Sequence, residues 1–307
     1  MKRIMLILGI TMLVLGGSRD ALAVEALKKT IAVYDFENDS GFTSLLTLGQ
    51  DFSTQLTDAL VQSGKFTVLT RQEIVGVMAE QDMASSDRFA KSNSAGLGKI
   101  VPAQILVKGK LTEFQEKSSG GGQGFGIYGV SINTAKTTAH VAVIIQLINT
   151  TTGEVIDSQR VEGDASTGGA SLGYAGAVPV VGAVGLSSSN FQSTPLGKAV
   201  QITIDNAVDY ISKKSIGVPW SGKVMMVKEG VIYVNSGTNT GIKEGDTFFV
   251  YKLGEALTDP DSGMELGREN TKLGQIKITE VQDKFSKSMI ADGAQFEVSK
   301  GDLVSEK

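Results

Sequence analysis

His140 is the one histidine of this chain and there is no cysteine. A His-based metal cluster or a catalytic dyad therefore lacks its second member. Disulfides, thiol nucleophiles, thiolate metal sites and a lipid-modified N-terminal cysteine are excluded by composition. Asp259-Pro260-Asp261-Ser262-Gly263 carries two carboxylates but reads first as a turn. The glycine-rich run Gly120–Gly126 has no following Lys-Ser/Thr pair and no helix, so it is not a phosphate loop. We expect no enzyme, no metal and no cofactor. The chemistry that the residue types do support is that of a two-sided surface. From Thr134 to Leu147 the odd positions are small or apolar (Ala135, Ala139, Val141, Val143, Ile145, Leu147), with Thr137 the exception. The even positions include Lys136, Thr138, His140 and Gln146. A period of two gives a strand one dry face and one wet face. His140 then belongs to the wet face and is not a metal ligand.

Fourteen strand residues reach roughly 46 Å, beyond the usual strand length. The elements that must hold them are two long β-hairpins, at about residues 106–150 and 155–194. Such hairpins suit a soluble sheet with one solvated face, or a membrane hairpin, whose strands need ~9–11 residues in the bilayer.

The first residues read as a signal peptide, 1–23. Lys2 and Arg3 are basic, Ile4 to Leu15 is apolar, and Ala21-Leu22-Ala23 is a small-x-small cleavage site. Twelve apolar residues are too few to span a bilayer. Export is expected, with the mature chain starting at Val24. Removing Lys2, Arg3, Arg19 and Asp20 reduces 29 cations and 33 carboxylates to 26 and 32, a balance of −6. That acidity speaks against a nucleic-acid partner.

Along residues 24–214, Thr30–Phe36 reads as a buried strand followed by the acidic loop Glu37-Asn38-Asp39-Ser40-Gly41. A helix over 46–63 carries Phe52, Leu56, Ala59 and Leu60 on one face. Phe66–Leu69 is a second strand. Thr70-Arg71-Gln72-Glu73 is a capping box opening a short helix whose dry face is Ile74, Val77 and Met78. Thr194-Pro195 opens a longer helix with Leu196, Val200, Ile204, Val208 and Ile211 on one face, ending at Lys213-Lys214. This order predicts an α+β fold, a mixed sheet with helices plus the two hairpins. Residues 215–307 alternate short apolar runs with turns, and the turns Gly241–Asp246 and Val298–Asp302 look related. A small all-β barrel is predicted there.

Val33-Tyr34-Asp35, Phe66-Thr67-Val68-Leu69-Thr70-Arg71, Ile105-Leu106-Val107-Lys108-Gly109 and Asn149-Thr150-Thr151-Thr152-Gly153-Glu154-Val155 follow the pattern of the curli-export channel (CsgG) family. The chain resembles it over about residues 28–213. The resemblance implies an outer-membrane secretion pore: a homo-oligomeric ring of nine subunits sharing one barrel, passing unfolded or amyloid-type protein subunits, with periplasmic accessory proteins as partners. Physics agrees that subunits must share the sheet, because open strand edges in lipid leave backbone groups unsatisfied. Nine copies of four strands give 36, the size of the largest known barrels. On this reading Val141, Val143, Ile145 and Leu147 face lipid, Lys136, Thr138, His140 and Gln146 face the lumen, and Val143→Asp blocks insertion.

The chain also departs from that family. It lacks the N-terminal lipid-anchor cysteine. The connection that carries the family's channel-narrowing loop is about seven residues shorter here, leaving Asn38 and Phe42 as loop candidates, while Phe52 falls in register with the helix core. The second hairpin is glycine-rich, which suits a loose periplasmic loop as well as a spanning hairpin. The tail resembles the C-terminal module of a periplasmic flagellar-assembly protein. The alternative reading is a soluble periplasmic assembly or scaffold protein without a membrane barrel.

Overall fold

The alternation in β5 (Ile132–Asn149) fixes the architecture, because its dry side must be covered. In the computed structural model, which describes residues 27–42, 48–85, 101–120, 132–172, 189–261, 265–291 and 293–306, two helices cover it. The signal segment 1–23, most of the glycine-rich run, and residues 173–188 of the second hairpin lie outside the described residues.

The sheet runs in the order β3-β1-β4-β5-β6. Its strands are β1 (Lys29–Val33), β3 (Phe66–Leu69), β4 (Ile105–Gly120), β5 and β6 (Val155–Leu172), with the two-residue β2 (Glu37–Asn38) beside β4. β1 pairs parallel with β3 and β4, and β5 is antiparallel to both β4 and β6. Helices α1 (Leu48–Gln62) and α4 (Pro195–Ser215) contribute Phe52, Leu56, Leu60, Leu196, Val200, Ile204 and Ile211 to one core with the sheet. Phe36 stacks tilted on Phe52 at 5.4 Å, so Phe52 is core as the register predicts.

Helix α4 starts where the sequence places it. Thr194 caps it by accepting from Gly197 N–H at 3.0 Å, with Pro195 next, which satisfies an otherwise orphaned donor. The helix lies directly on strand backbone at Gly163, where an added Cβ would stand 2.4 Å from the Ala199 carbonyl oxygen. Thr203 Oγ1 donates to the Val141 carbonyl (3.3 Å) and Asn206 Nδ2 to the Glu162 carbonyl (2.9 Å).

Two expectations change. Helix α2 (Ile74–Ser85) forms behind its capping box, with Glu73 N–H on Thr70 Oγ1. Its intended dry face is open, however, with Val77 and Met78 at 37% and 52% exposure, because no other described element lies over it. The second hairpin region begins as the strand β6 but ends in a short helix, α3 (Ser189–Gln192), where a strand was expected up to 194. Phe191 there is buried against α4.

The C-terminal residues form a closed barrel of β7 (Ser221–Lys228), β8 (Val231–Val234), β9 (Thr247–Lys252), β12 (Thr271–Val281), β13 (Ser286–Ile290) and β14 (Leu303–Ser305). A hairpin, β10 (Ala256–Thr258) and β11 (Glu265–Arg268), projects between β9 and β12. Trp220 and Phe248, 5.1 Å apart, anchor a core with Val224, Ile232, Val250 and Ile276. The two turns are copies of one device. Asp246 Oδ2 accepts from Lys243 N–H and Asp302 Oδ2 from Ser299 N–H, with Gly245 and Gly301 at φ +93° and +96°. Only glycine adopts that backbone cheaply. The barrel is tied to the first core: Leu27 packs on it, Lys28 N–H donates to Thr240 O (2.8 Å) and Gln104 Nε2 to Ser221 Oγ (2.7 Å).

Candidate functional site

The side of β4-β5-β6 away from α4 carries the charged and polar side chains of these strands. The register aligns Lys108–Gln146–Ser158, Lys110–Ile144–Arg160, Glu113–Ala142–Glu162, Gln115–His140–Asp164 and Lys117–Thr138–Ser166 in successive rows. A bulge in β4 between Leu111 and Glu113 makes this possible. One extra residue flips the phase of the strand, so Glu113 turns outward and Phe114 inward.

Around His140 the outward charges interlock. His140 Nδ1 lies 2.8 Å from Asp164 Oδ1 and its Nε2 3.4 Å from Glu113 Oε2. Arg160 Nη2 donates to Glu113 Oε1 at 2.6 Å, and its Nε to Glu162 Oε2 at 3.3 Å. The Arg160 guanidinium holds the Glu113 carboxyl below the usual carboxylate range, and Glu113 and Glu162 raise Arg160 in turn. Further toward the root, Lys110 pairs with Glu37 (3.4 Å) and Asp39 (3.5 Å), and these carboxylates raise its pKa. The surface is a solvated ion network linking three strands. Each exposed pair contributes little alone, and only the network makes it a persistent feature.

Thr138, His140 and Gln146 share this polar face, and Lys136 holds its register opposite Ser119 and Gly168. The set expected to face lipid is placed otherwise. Val141, Val143, Ile145 and Leu147 each have no exposed surface and lie in the core under α4 and α1. The period of two was read correctly, but the chain's own helices occupy the dry side. Asn38 closes a small turn: its Oδ1 accepts from Ser40 N–H and Oγ–H, and its Nδ2 donates to Phe42 O. Phe42 packs edge-on to Phe114 at 5.3 Å beside a cavity of about 340 Å³ that Leu196 also lines. Both loop candidates are thus held against β4.

Sequence reasoning missed Glu113, Arg160 and Asp164. The alternation Arg160-Val161-Glu162-Gly163-Asp164 was the available signal. It also missed Tyr210, buried beside Asp157, whose phenol is pushed up to about 12 by burial first and by that carboxylate second. Asp157 acts on its hydroxyl through charge and then through hydrogen bonding. Asp157 itself is bound by Lys214 at 2.5 Å and lowered by it. Among the described residues no group of three or more His, Asp or Glu is placed to hold a metal, and no helix is long and apolar enough to cross a membrane.

The family described as curli production assembly/transport component CsgG matches residues 19–244. The chain belongs to the CsgG family. The CsgG protein of Salmonella typhimurium is 22% identical over 233 residues, 69% of this chain and 73% of that protein. A putative lipoprotein of Neisseria meningitidis serogroup B is 25% identical over 190 residues, 60% of this chain and 74% of its own. Among solved structures, a hypothetical protein of Chlamydia trachomatis aligns at TM-score 0.38 and 17% identity, covering 61% of this chain and 97% of that one. The PelC dodecamer subunit of Paraburkholderia phytofirmans aligns at 0.29 and 13%, covering 62% and 90%. The family match ends inside the barrel, so β9 to β14 lie outside the CsgG pattern.

Proposed function

We propose that this chain is one subunit of an oligomeric outer-membrane export channel for unfolded or amyloid-type protein subunits, with its helix-covered core on the periplasmic side. The observation that carries the reading is how far three strands outrun their core. Among the residues whose burial is described, the outermost buried one is Phe114 in β4 and Ala139 in β5. Residues 115–120 and 132–138 continue the ladder beyond, with β6 paired alongside to Leu172. In β4 that excess alone is about 20 Å at the usual rise per residue. A long ladder with exposed edges invites pairing with other chains. Past Leu111, β4 has no strand on its outer side among the described residues, and neither has β6. Copies sharing a barrel would satisfy both edges at once. Lipid contact then belongs to these distal stretches, and Val141 to Leu147 serve the root. The polar row through Thr138, His140 and Gln146 continues the lumen-facing side downward.

Cargo transit needs no bond making, and the ion network suits a wetted wall that holds β4, β5 and β6 in register. Membrane fractionation followed by unheated gel migration tests the reading. A detergent-resistant ring in the outer-membrane fraction is expected. A soluble monomer would instead support the periplasmic scaffold reading, which the open face of α2 and the tied-on barrel favour.

A further inference from the structure

We propose that the outer face of the C-terminal barrel, across β7, β8, β13 and β12, docks an acidic amphipathic segment of a second exported protein. Methionine and aromatic side chains form its centre and lysines its rim. Alternation builds the face. Val224, Ile232, Val234, Ser286 and Ser288 are buried inside the barrel, so the strand residues between them stand outside. The register sets Met226, Tyr233, Lys287 and Glu280 in one row across the four strands. In the next outward row, Lys228 is level with Val231, and Met289 with Lys277. Phe285 lies tilted against Tyr233 at 6.2 Å. The bulge between Val224 and Met226 adds Met225 to the same strand, and Met225, Met226 and Met289 are all exposed.

The chemistry of the face selects its occupant. The barrel is closed, so it offers no free strand edge for a partner strand to join. A partner must therefore bind through side chains. Flexible, polarizable methionines beside an aromatic pair suit the apolar face of a helix. The two rows hold Lys228, Lys277 and Lys287 against one carboxylate, Glu280, which accepts from Lys287 Nζ at 2.7 Å. The whole chain has the opposite balance, 29 cations to 33 carboxylates. An apolar centre with a basic rim complements an acidic segment. Two copies meeting through this face would set lysine against lysine, which opposes association. β12 and β13 lie beyond residue 244, where the CsgG match ends. The inference is independent of whether the strand tips enter a membrane.

The probe is a synthetic peptide of about 18 residues, with leucine at i, i+3, i+4 and i+7 and glutamate between. It is titrated into the full chain carrying methyl-labelled methionine, and the methyl signals are followed by NMR. Those of Met226 and Met289 are expected to shift and to saturate below about 1 mM, more weakly as salt rises. Lys228→Glu combined with Lys277→Glu is expected to weaken binding about tenfold while leaving the melting temperature unchanged. A peptide with lysine in place of glutamate is expected not to bind. Absence of saturation, or equal binding by the double variant or of the lysine peptide, overturns the proposal and leaves the channel reading intact. Phosphatidylglycerol vesicles that shift the same signals more strongly would give the face to a lipid surface. Shifts on concentrating the protein alone would give it to a second copy, and either result overturns the peptide as occupant.

Discussion

Val143 sits in β5 with none of its surface exposed, so its substitution reads differently from what an alternating strand suggests. Val143→Asp buries a carboxylate without a partner, which costs about 3–5 kcal/mol. Denaturant unfolding should show that loss in the soluble, uninserted protein, and the variant should fail to fold before it fails to insert. Glu113 permits a pH test. Arg160 lowers its folded-state pKa, so its contribution is complete above the ordinary carboxylate value and disappears as pH falls through the lowered one. The melting temperature of the wild type should exceed that of Glu113→Gln near neutral pH and converge with it as the pH falls below the ordinary carboxylate range. A constant difference across that range would show that Glu113 acts through packing alone. The single histidine was readable as a wet-face residue. Its neighbours Asp164 and Arg160 were not, because they come from a strand whose register with β5 is set only on folding.

Between elements, the critical contact is α4 against β6. Gly163→Ala puts a methyl group 2.4 Å from the Ala199 carbonyl oxygen and 2.6 Å from Thr203 Oγ1. The helix must shift, at about 1–3 kcal/mol, and the hydrogen bonds of Thr203 and Asn206 to the strands lengthen with it. Amide exchange across β5 and β6 should accelerate ahead of α1. Thr194→Ala removes the cap of the same helix and should cost about 1 kcal/mol, seen as fraying of its first turn by exchange. The faces of α1 and α4 were legible from spacing alone, Phe52 included. The open face of α2 was not, since a helical period marks which side is apolar and says nothing of whether an element covers it.

At the scale of the molecule, two cores are joined by short-range ties at the root of the sheet. Lys29, 8% exposed, donates from Nζ to the Ser215 carbonyl at 2.6 Å, closing the end of α4 just before the barrel. Lys29→Ala should lose about 1.5–3 kcal/mol from a charge-assisted bond and speed trypsin cleavage after Lys213 and Lys214. Unchanged digestion would show that the junction is held by the barrel contacts of Leu27 and Gln104 instead. The position of the barrel follows from strand direction. β1 and β4 both start at its side and run away from it, so it lies at the opposite end from the strand tips.

Local chemistry settled much of this protein in advance. Alternation marked β5, glycine and aspartate repeated one turn twice in the barrel, and proline after threonine opened α4, since each depends on residues near in sequence. The fate of the dry face of β5 was decided only by folding. An apolar stripe is equally satisfied by lipid or by helices, and the choice went to α4 because Gly163 lets it approach the strands closely enough to fill that side.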